Sequence, residues 1–389
     1  MPAVYPYTQY AGIWNLSSQA NAQAAGTWPK QPVQTLLAWG GNTQGALGLG
    51  NTTNYSSPKQ VSSLTNWLSI SGGYYGAMLI DTANKLYGTG GNDYGQLGLG
   101  NVTAVSSFTQ VGALTTWSWV GSGGYHTTAI KTDGTLWVWG RNDNGQLGLS
   151  TYGNSYSSPK QVGSLTTWAR SIGGGKFTIA VKTDGTIWSW GRNINGYLGL
   201  GDTANRSSPV QIGALTNWTT KIYSGSQQTF AIKNDGTLWA WGGNNSGTLG
   251  QGNTTYYSSP KQIGALTTWS DIAPRGNAVI ALKTDGTLWS WGNNVYGQLG
   301  LGNRTNYSSP KQVGSLTNWS TLSGSTAASL ISVVKADGTL WSWGYNASGG
   351  LGLGNTTYYS SPKQVGSLTT WQKAVNSSLY GSAFATALI

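Results

Sequence analysis

One histidine and ten aspartates, with no glutamate and no cysteine, are this chain's whole inventory of the imidazole, carboxylate and thiol groups that most often carry acid–base catalysis and metal ligation. Acid–base or nucleophilic catalysis needs a perturbed group beside a partner in a pocket, most often a histidine or a carboxylate pair. His126 stands alone in G-G-Y-H-T-T-A-I, at the start of a predicted strand, where packing suits it better than catalysis. Six of the aspartates, Asp81, Asp133, Asp184, Asp235, Asp285 and Asp337, lie at or beside a repeated turn. No His/Asp cluster has metal-ligand spacing. The chain is therefore expected to be non-enzymatic, with no catalytic residue, metal or cofactor.

Two repeated features invite other chemistry. The glycine-rich G-Q-L-G-L-G loops suggest a phosphate cradle, yet they lack the Lys-Ser/Thr ending of a P-loop and do not lead into a helix. They are expected to be structural turns. The Trp pairs of L-W-x-W-G and the Trp of L-T-x-W (Trp67, Trp117, Trp168, Trp218, Trp269, Trp319, Trp371) could stack on sugars. Their regularity fits packing between repeats instead.

The elements that carry these residues recur. The stretch Leu288 to Asn303, L-W-S-W-G-N-N-V-Y-G-Q-L-G-L-G-N, has copies along nearly the whole chain of 389 residues. Its first-half glycine falls at Gly40, Gly90, Gly140, Gly191, Gly242, Gly292 and Gly344, giving spacings of 50, 50, 51, 51, 50 and 52 residues. Seven copies at a near-constant period make a repeat architecture. Within the copy from Trp269 to Val313, short strands are expected at Trp269–Ile272, Ala278–Lys283, Thr287–Gly292 and Lys311–Val313. The Asp-Gly turn joins the second strand to the third, because glycine supplies the positive φ that such turns need. Four strands per repeat and no helical periodicity predict an all-β, seven-bladed propeller over residues 33–389, preceded by an extension at 1–32. The chain ends on a second strand, G-S-A-F-A-T-A-L-I, and starts its first repeat on a third, Q-T-L-L-A-W-G. Ser382–Ile389 is thus expected to pair with Gln34–Gly40 and close the ring.

Charged residues are only 8%, and the net charge is +11. A basic balance raises the question of nucleic acid. Ten of the 21 basic residues, however, sit at two repeated positions: Lys131, Lys182, Lys233, Lys283 and Lys335 before the turn, and Lys59, Lys160, Lys261, Lys311 and Lys363 after S-S-P. Spread by symmetry, they read as a solvated face rather than a polyanion-binding ring, and nucleic acid is not expected as a partner. The N-terminus has no basic region followed by an apolar run, so no signal peptide is expected. No apolar segment reaches membrane-spanning length, so no membrane partner is expected.

The period and the L-W-x-W-G-x-N-x-x-G-Q-L-G-L-G unit resemble the repeat of the regulator of chromosome condensation family, over residues 34 to 389. That resemblance implies a seven-bladed propeller, and a histidine in the place of His126 is often a packing residue in the family. Departures are Thr89, where other copies have Trp, and Tyr197 in place of Gln. Family members serve as GTPase exchange factors, chromatin binders, ubiquitin-ligase modules and scaffolds, so the resemblance leaves function open. The exchange factor uses an extra wedge and acidic contact residues. This chain has neither a suitable insertion nor the acids. A second resemblance concerns Y-A-G-I-W-N-L-S-S-Q-A-N-A-Q-A-A-G-T-W-P, which is similar to openings of marine-phage structural proteins.

Recognition is expected where the copies differ. Aligning the second strands puts Tyr75, Tyr125, Lys176, Gln227, Asn277, Ser329 and Ala383 at one place, with Arg275 two residues before Asn277. Of these, Tyr75, Tyr125, Lys176, Gln227, Arg275 and Asn277 are the candidate face-binding residues. The loop tyrosines Tyr55, Tyr156, Tyr257, Tyr307 and Tyr359 could meet a glycan or another subunit. In residues 1–32, where Ser17 to Ala25 could form a short helix, Tyr5, Tyr7, Tyr10, Ile13, Trp14 and Trp28 are candidate partner anchors. Two readings follow. One is a structural or adhesive virion protein of a tail or capsid surface, assembled in the host cytoplasm, docked to other virion proteins or to itself through residues 1–32 and displaying the propeller to protein or a host-surface glycan. The alternative is a cytoplasmic cellular module that binds a glycan or a protein.

Overall fold

The computed structural model describes residues 34–63, 65–322, 329–377 and 381–389; the expected helix and anchor residues of the extension lie outside them. Residues Gln34–Ile389 form a compact unit of seven four-stranded antiparallel sheets. One blade shows how each is made. Trp117–Ser122, His126–Lys131, Leu136–Gly140 and Tyr156–Gln161 lie side by side in chain order. Blades I to VII are named here by their first strands: Trp67–Gly72, Trp117–Ser122, Trp168–Gly173, Trp218–Ser224, Trp269–Arg275, Trp319–Leu322 and Trp371–Ser377. Each first strand touches that of the next blade, and that of blade VII touches that of blade I. The first strands are therefore innermost and ring a central channel, which makes the molecule the propeller that the period predicts.

Closure follows the expectation. Blade VII has the order Tyr55–Gln60, Gln34–Gly40, Ser382–Leu388, Trp371–Ser377, with Gln34 opposite Leu388 and Trp39 opposite Ala383. Three strands of blade V differ from the sequence reading. The innermost runs on to Arg275, the third begins at Leu288 rather than Thr287, and the outermost is Tyr307–Gln312 rather than Lys311–Val313. Pro310 lies where the pairing slips between Ser290 and Gly292, on an outer edge with no further neighbour to receive a peptide N–H.

The core sits between blades. Met78, Ile80 and Leu97 of blade I pack with Trp117, Val120 and Trp139 of blade II in one buried cluster, and six comparable clusters occur around the ring. Trp139 is wholly buried and donates its indole N–H to the Gln96 carbonyl of the preceding blade at 2.9 Å. Trp117 meets Trp137 and Trp139 edge to face at 6.3 and 6.0 Å. The same joint recurs with Trp168, Trp218, Trp269 and Trp319. The tryptophans are inter-blade packing, as their regularity implied.

The glycine-rich loops close on themselves. Asn294 is buried; its amide oxygen accepts from Leu299 N at 2.9 Å, and its amide nitrogen donates to the Asn303 and Thr305 carbonyls. Gly300, at φ +70, leaves room for Trp343: a Cβ there would stand 2.7 Å from the indole nitrogen. The loop is a fixed spacer under the next blade.

Candidate functional site

Each repeated polar group has an internal task. At the turn of blade II, Asp133 Oδ1 accepts from Thr135 N at 2.9 Å and from Thr135 Oγ1 at 2.6 Å, while Trp137 donates to the same hydroxyl. Those bonds hold the Asp133 carboxyl below the usual range, and Asp184, Asp235, Asp285 and Asp337 behave alike. The turn lysines are not solvated as the sequence suggested. Lys131, Lys182, Lys233, Lys283 and Lys335 lie 3.7 to 3.9 Å over the first Trp of their own L-W-x-W motif. Burial pushes the Lys233, Lys283 and Lys335 ammonium groups down. The lysines after S-S-P lie 5.5 to 5.7 Å over Tyr55, Tyr156, Tyr257, Tyr307 and Tyr359, which ties the loop tyrosines to their own strands.

His126 is 2% exposed, and its Nε2 lies 2.9 Å from Thr178 Oγ1 of blade III. Burial lowers its pKa to about 4. A neutral imidazole filling an inter-blade joint is what the packing reading requires. Among the described residues, no group of three or more His or Asp side chains converges as a metal site would.

What remains is the face at the ends of the innermost strands, where the copies differ. One position there is repeated around the ring, because its carbonyl accepts from the residue after each third-strand glycine. Gly91 N bonds Tyr75 O, Arg141 N bonds Tyr125 O, Arg192 N bonds Lys176 O, Gly243 N bonds Gln227 O, Asn293 N bonds Asn277 O and Tyr345 N bonds Ser329 O. In blade VII the bond is Gly41 N to Gly381 O. The seventh member is therefore Gly381. Ala383 is wholly buried inside its strand, and aligning it with Tyr75 was off by two residues.

The candidates divide by sector. Tyr75 and Tyr125 meet at 5.3 Å with their hydroxyls hydrogen-bonded at 3.2 Å, and Tyr94 and Tyr74 join them at 5.2 and 5.6 Å from Tyr125. The Arg141 guanidinium lies 4.6 Å over Tyr94 and 5.5 Å over Tyr125, paired with Asp143. Lys176 is half-buried beside it; burial, then Arg141 and Arg192, push its ammonium down, and Asp143 opposes them. Tyr75, Tyr125 and Lys176 thus belong to one aromatic and cationic sector. Gln227 and Asn277 lie further round in a neutral one, where Gln228 Nε2 reaches Asn277 Oδ1 at 3.4 Å. Arg275 is 1% exposed and is not part of the accessible face. Its place two residues inside the strand buries it.

Tyr94, Arg141 and Arg192 were missed because only the second strands were aligned. Comparing W-G-x and N-x-x-G between copies would have found them. The same comparison finds Tyr296 and Tyr345, which with Tyr358 of the following loop form a second cluster with centroids 5.1 to 5.7 Å apart. Tyr74 crosses further than any of these. A Cβ on Gly124 would stand 2.9 Å from the Tyr74 ring and one on Gly175 2.9 Å from its hydroxyl, which bonds Ser226 three blades on.

Comparison with known proteins adds a family to this geometry. A family model described as "Regulator of chromosome condensation (RCC1) repeat" matches residues 35–80, 84–130, 133–181, 184–232, 235–274, 285–328 and 337–378. Among curated proteins, the chain is 29% identical over 197 residues to the ultraviolet-B receptor UVR8 of Arabidopsis thaliana, a match covering 49% of this chain and 44% of that one. The matched segment thus spans less than half of that relative. Among solved structures, human WBSCR16 superposes with a TM-score of 0.80 at 19% identity, covering 91% of this chain and 98% of that one. Prp20p of Saccharomyces cerevisiae gives 0.80 at 18% identity, with 92% of each chain covered. Both likenesses establish the fold.

Proposed function

The chain belongs to the regulator of chromosome condensation repeat family, and on that footing we propose that it is a protein-binding module without catalytic activity. The observation that carries the reading is the sector of Tyr75, Tyr94, Tyr125, Arg141 and Lys176. Tyrosine and arginine are the residues enriched at interface hot spots. Here they are held half-exposed on a rigid frame, with the cations Arg141, Lys176 and Arg192 outnumbering the carboxylates of Asp143 and of Asp93, which precedes Tyr94. The partner is a protein surface with acidic side chains around an apolar centre. Prp20p, described with binding properties to Gsp1p and histones, supports a protein partner as the class.

The virion reading, with docking through Tyr5, Tyr7, Tyr10, Ile13, Trp14 and Trp28, rests on residues outside the described structure, and the relatives found do not support it. The cellular binding module is the better supported of the two. Quantitative affinity purification tests it, comparing the full chain with Tyr94→Ala and Arg141→Ala variants and with a Lys311→Ala variant on an outermost strand. Partners lost from the first two but kept by the third support the reading. A partner set unchanged by all three refutes it.

A further inference from the structure

The central channel holds a second constellation, on the innermost strands near the end that carries the Asp-Gly turns. Strand register places Ser69, Trp119, Arg170, Asp271, Thr321 and Lys373 at one level, each opposite the second-strand residue just before the turn position. Side chains alternate along a strand, so the next level facing the channel lies two residues further in and includes Ile172 and Val375. Apart from Ser69, the residues named at these levels line a cavity of about 270 Å³ to which all seven innermost strands contribute. That is near the lower end of the roughly 300–1,000 Å³ usual for small-molecule sites.

The charges in the cavity do not balance. Asp271 accepts from the Tyr223 hydroxyl at 2.6 Å and from Ile272 N at 2.9 Å. Arg170 lies 4.3 Å over the Trp119 ring and 5.8 Å from that of Tyr223. Among the described residues the ion pairs are Arg141–Asp143 and Arg206–Asp202, so neither Arg170 nor Lys373 has a carboxylate within pairing distance. Burial first, then Arg170, pushes the Lys373 ammonium down, and burial likewise pushes Arg170 down. Two cations, the part-buried Arg170 and the more exposed Lys373, against one carboxylate leave one positive charge at the cavity wall, beside a lining that is mostly apolar: Ile70, Val120, Ile172, Leu322 and Val375.

We propose that this cavity binds a small organic monocarboxylate, its carboxylate between Arg170 and Lys373 and its apolar body against Trp119, Ile172 and Val375. One negative charge cancels the excess, and a guanidinium matches a carboxylate in two parallel hydrogen bonds. A compact inorganic anion would leave the apolar wall unused. The site is independent of the tyrosine sector, and its failure would leave the protein-binding reading untouched.

Titration calorimetry on the full chain tests this with benzoate, phenylacetate and hexanoate against acetate, inorganic phosphate and benzyl alcohol. At least one of the first three should bind one to one, roughly tenfold or more tighter than each of the last three. Arg170→Gln and Lys373→Gln should each weaken that binding roughly tenfold, and Lys311→Gln should not. Lys373 makes no hydrogen bond or ion pair among the described residues, so its variant decides the matter even if Arg170→Gln fails to fold. Absence of saturable binding by all three amphiphilic acids overturns the proposal. So does tighter binding of phosphate, or binding unchanged by Lys373→Gln.

Discussion

His126 is the only histidine, which makes its burial measurable without interference. Thr178 Oγ1 donates to the Gln146 carbonyl at 2.8 Å, so its bond with His126 Nε2 at 2.9 Å is one in which the imidazole N–H donates. Glycines stand on both sides: a Cβ at Gly123 would lie 2.3 Å from Cε1, and one at Gly173 would lie 2.9 Å from Nε2. Protonation would put an unbalanced charge into this joint, and its pKa falls from 6.5 to about 4 as burial opposes the charged form. The unfolded chain then binds the proton first as pH drops. The neutral form's stability is complete above 6.5, erodes below it, and is lost once pH passes the folded value near 4. Between pH 7 and about 4.5 the two pKa values imply a loss of about 2–3 kcal/mol from this residue alone. The right comparison is His126→Gln, because Gln228 opens the second strand in blade IV as His126 does in blade II. Denaturant midpoints of the two proteins should converge or cross between pH 7 and 4.5, with aspartate effects cancelling in the difference. In NMR the single imidazole should titrate near 4. A titration above 6, or parallel midpoints at both pH values, would refute the buried-neutral account.

Three further outcomes follow from the same structure. Deleting 382–389 removes the strand between Gln34–Gly40 and Trp371–Ser377, so aggregation by light scattering or a large fall in melting temperature is expected; unchanged melting would contradict the closure. Gly300→Ala meets both a positive φ and Trp343, whereas Gly302→Ala meets the φ alone, its Cβ being 3.7 Å from Ser361 Oγ. The first should cost about 1–3 kcal/mol more than the second in urea unfolding, and equal costs would show that the tryptophan yields freely. With its repeated lysines held over aromatic rings, the chain should form no complex with duplex DNA tighter than about micromolar at physiological salt; a tighter complex in a gel-shift titration would show a usable basic surface.

The fold was legible because repetition turns one weak signal into seven. The Asp-Gly turn, the paired tryptophans and the split seventh blade each follow from chain pattern and elementary geometry. The face was less legible. Register is fixed by hydrogen bonds, and in blade VII a two-residue error moved the position from Gly381 to Ala383. The channel constellation was invisible for a related reason. The expected first strand stopped at Ile272, and the pairing slips after each opening tryptophan, so counting from Trp168 or Trp371 gives no sign that Arg170 and Lys373 line the same cavity.

Differences between copies are not all alike, and the chain itself shows how to sort them. Blade I has Thr89 where Trp39, Trp139, Trp190, Trp241, Trp291 and Trp343 stand in the others, a loss of a large buried side chain. The same blade has Phe108 where the other outer strands have proline, and a Cβ on Gly48 would stand 2.6 Å from its ring, much as one on Gly98 would stand 2.8 Å from the Trp139 indole. Thr89 Oγ1 turns to the Gly45 carbonyl at 3.1 Å. One ring has replaced another, and nothing polar is left over. Arg170 and Lys373 differ from their counterparts without any such exchange: each brings a charge to a cavity with no ion-pair partner among the described residues, and Arg141, although paired with Asp143 of its own blade, presents its guanidinium over Tyr94 on the half-exposed face. Asymmetry absorbed within the core is repacking. Asymmetry that leaves charge exposed on a frame this regular is where binding has to be sought.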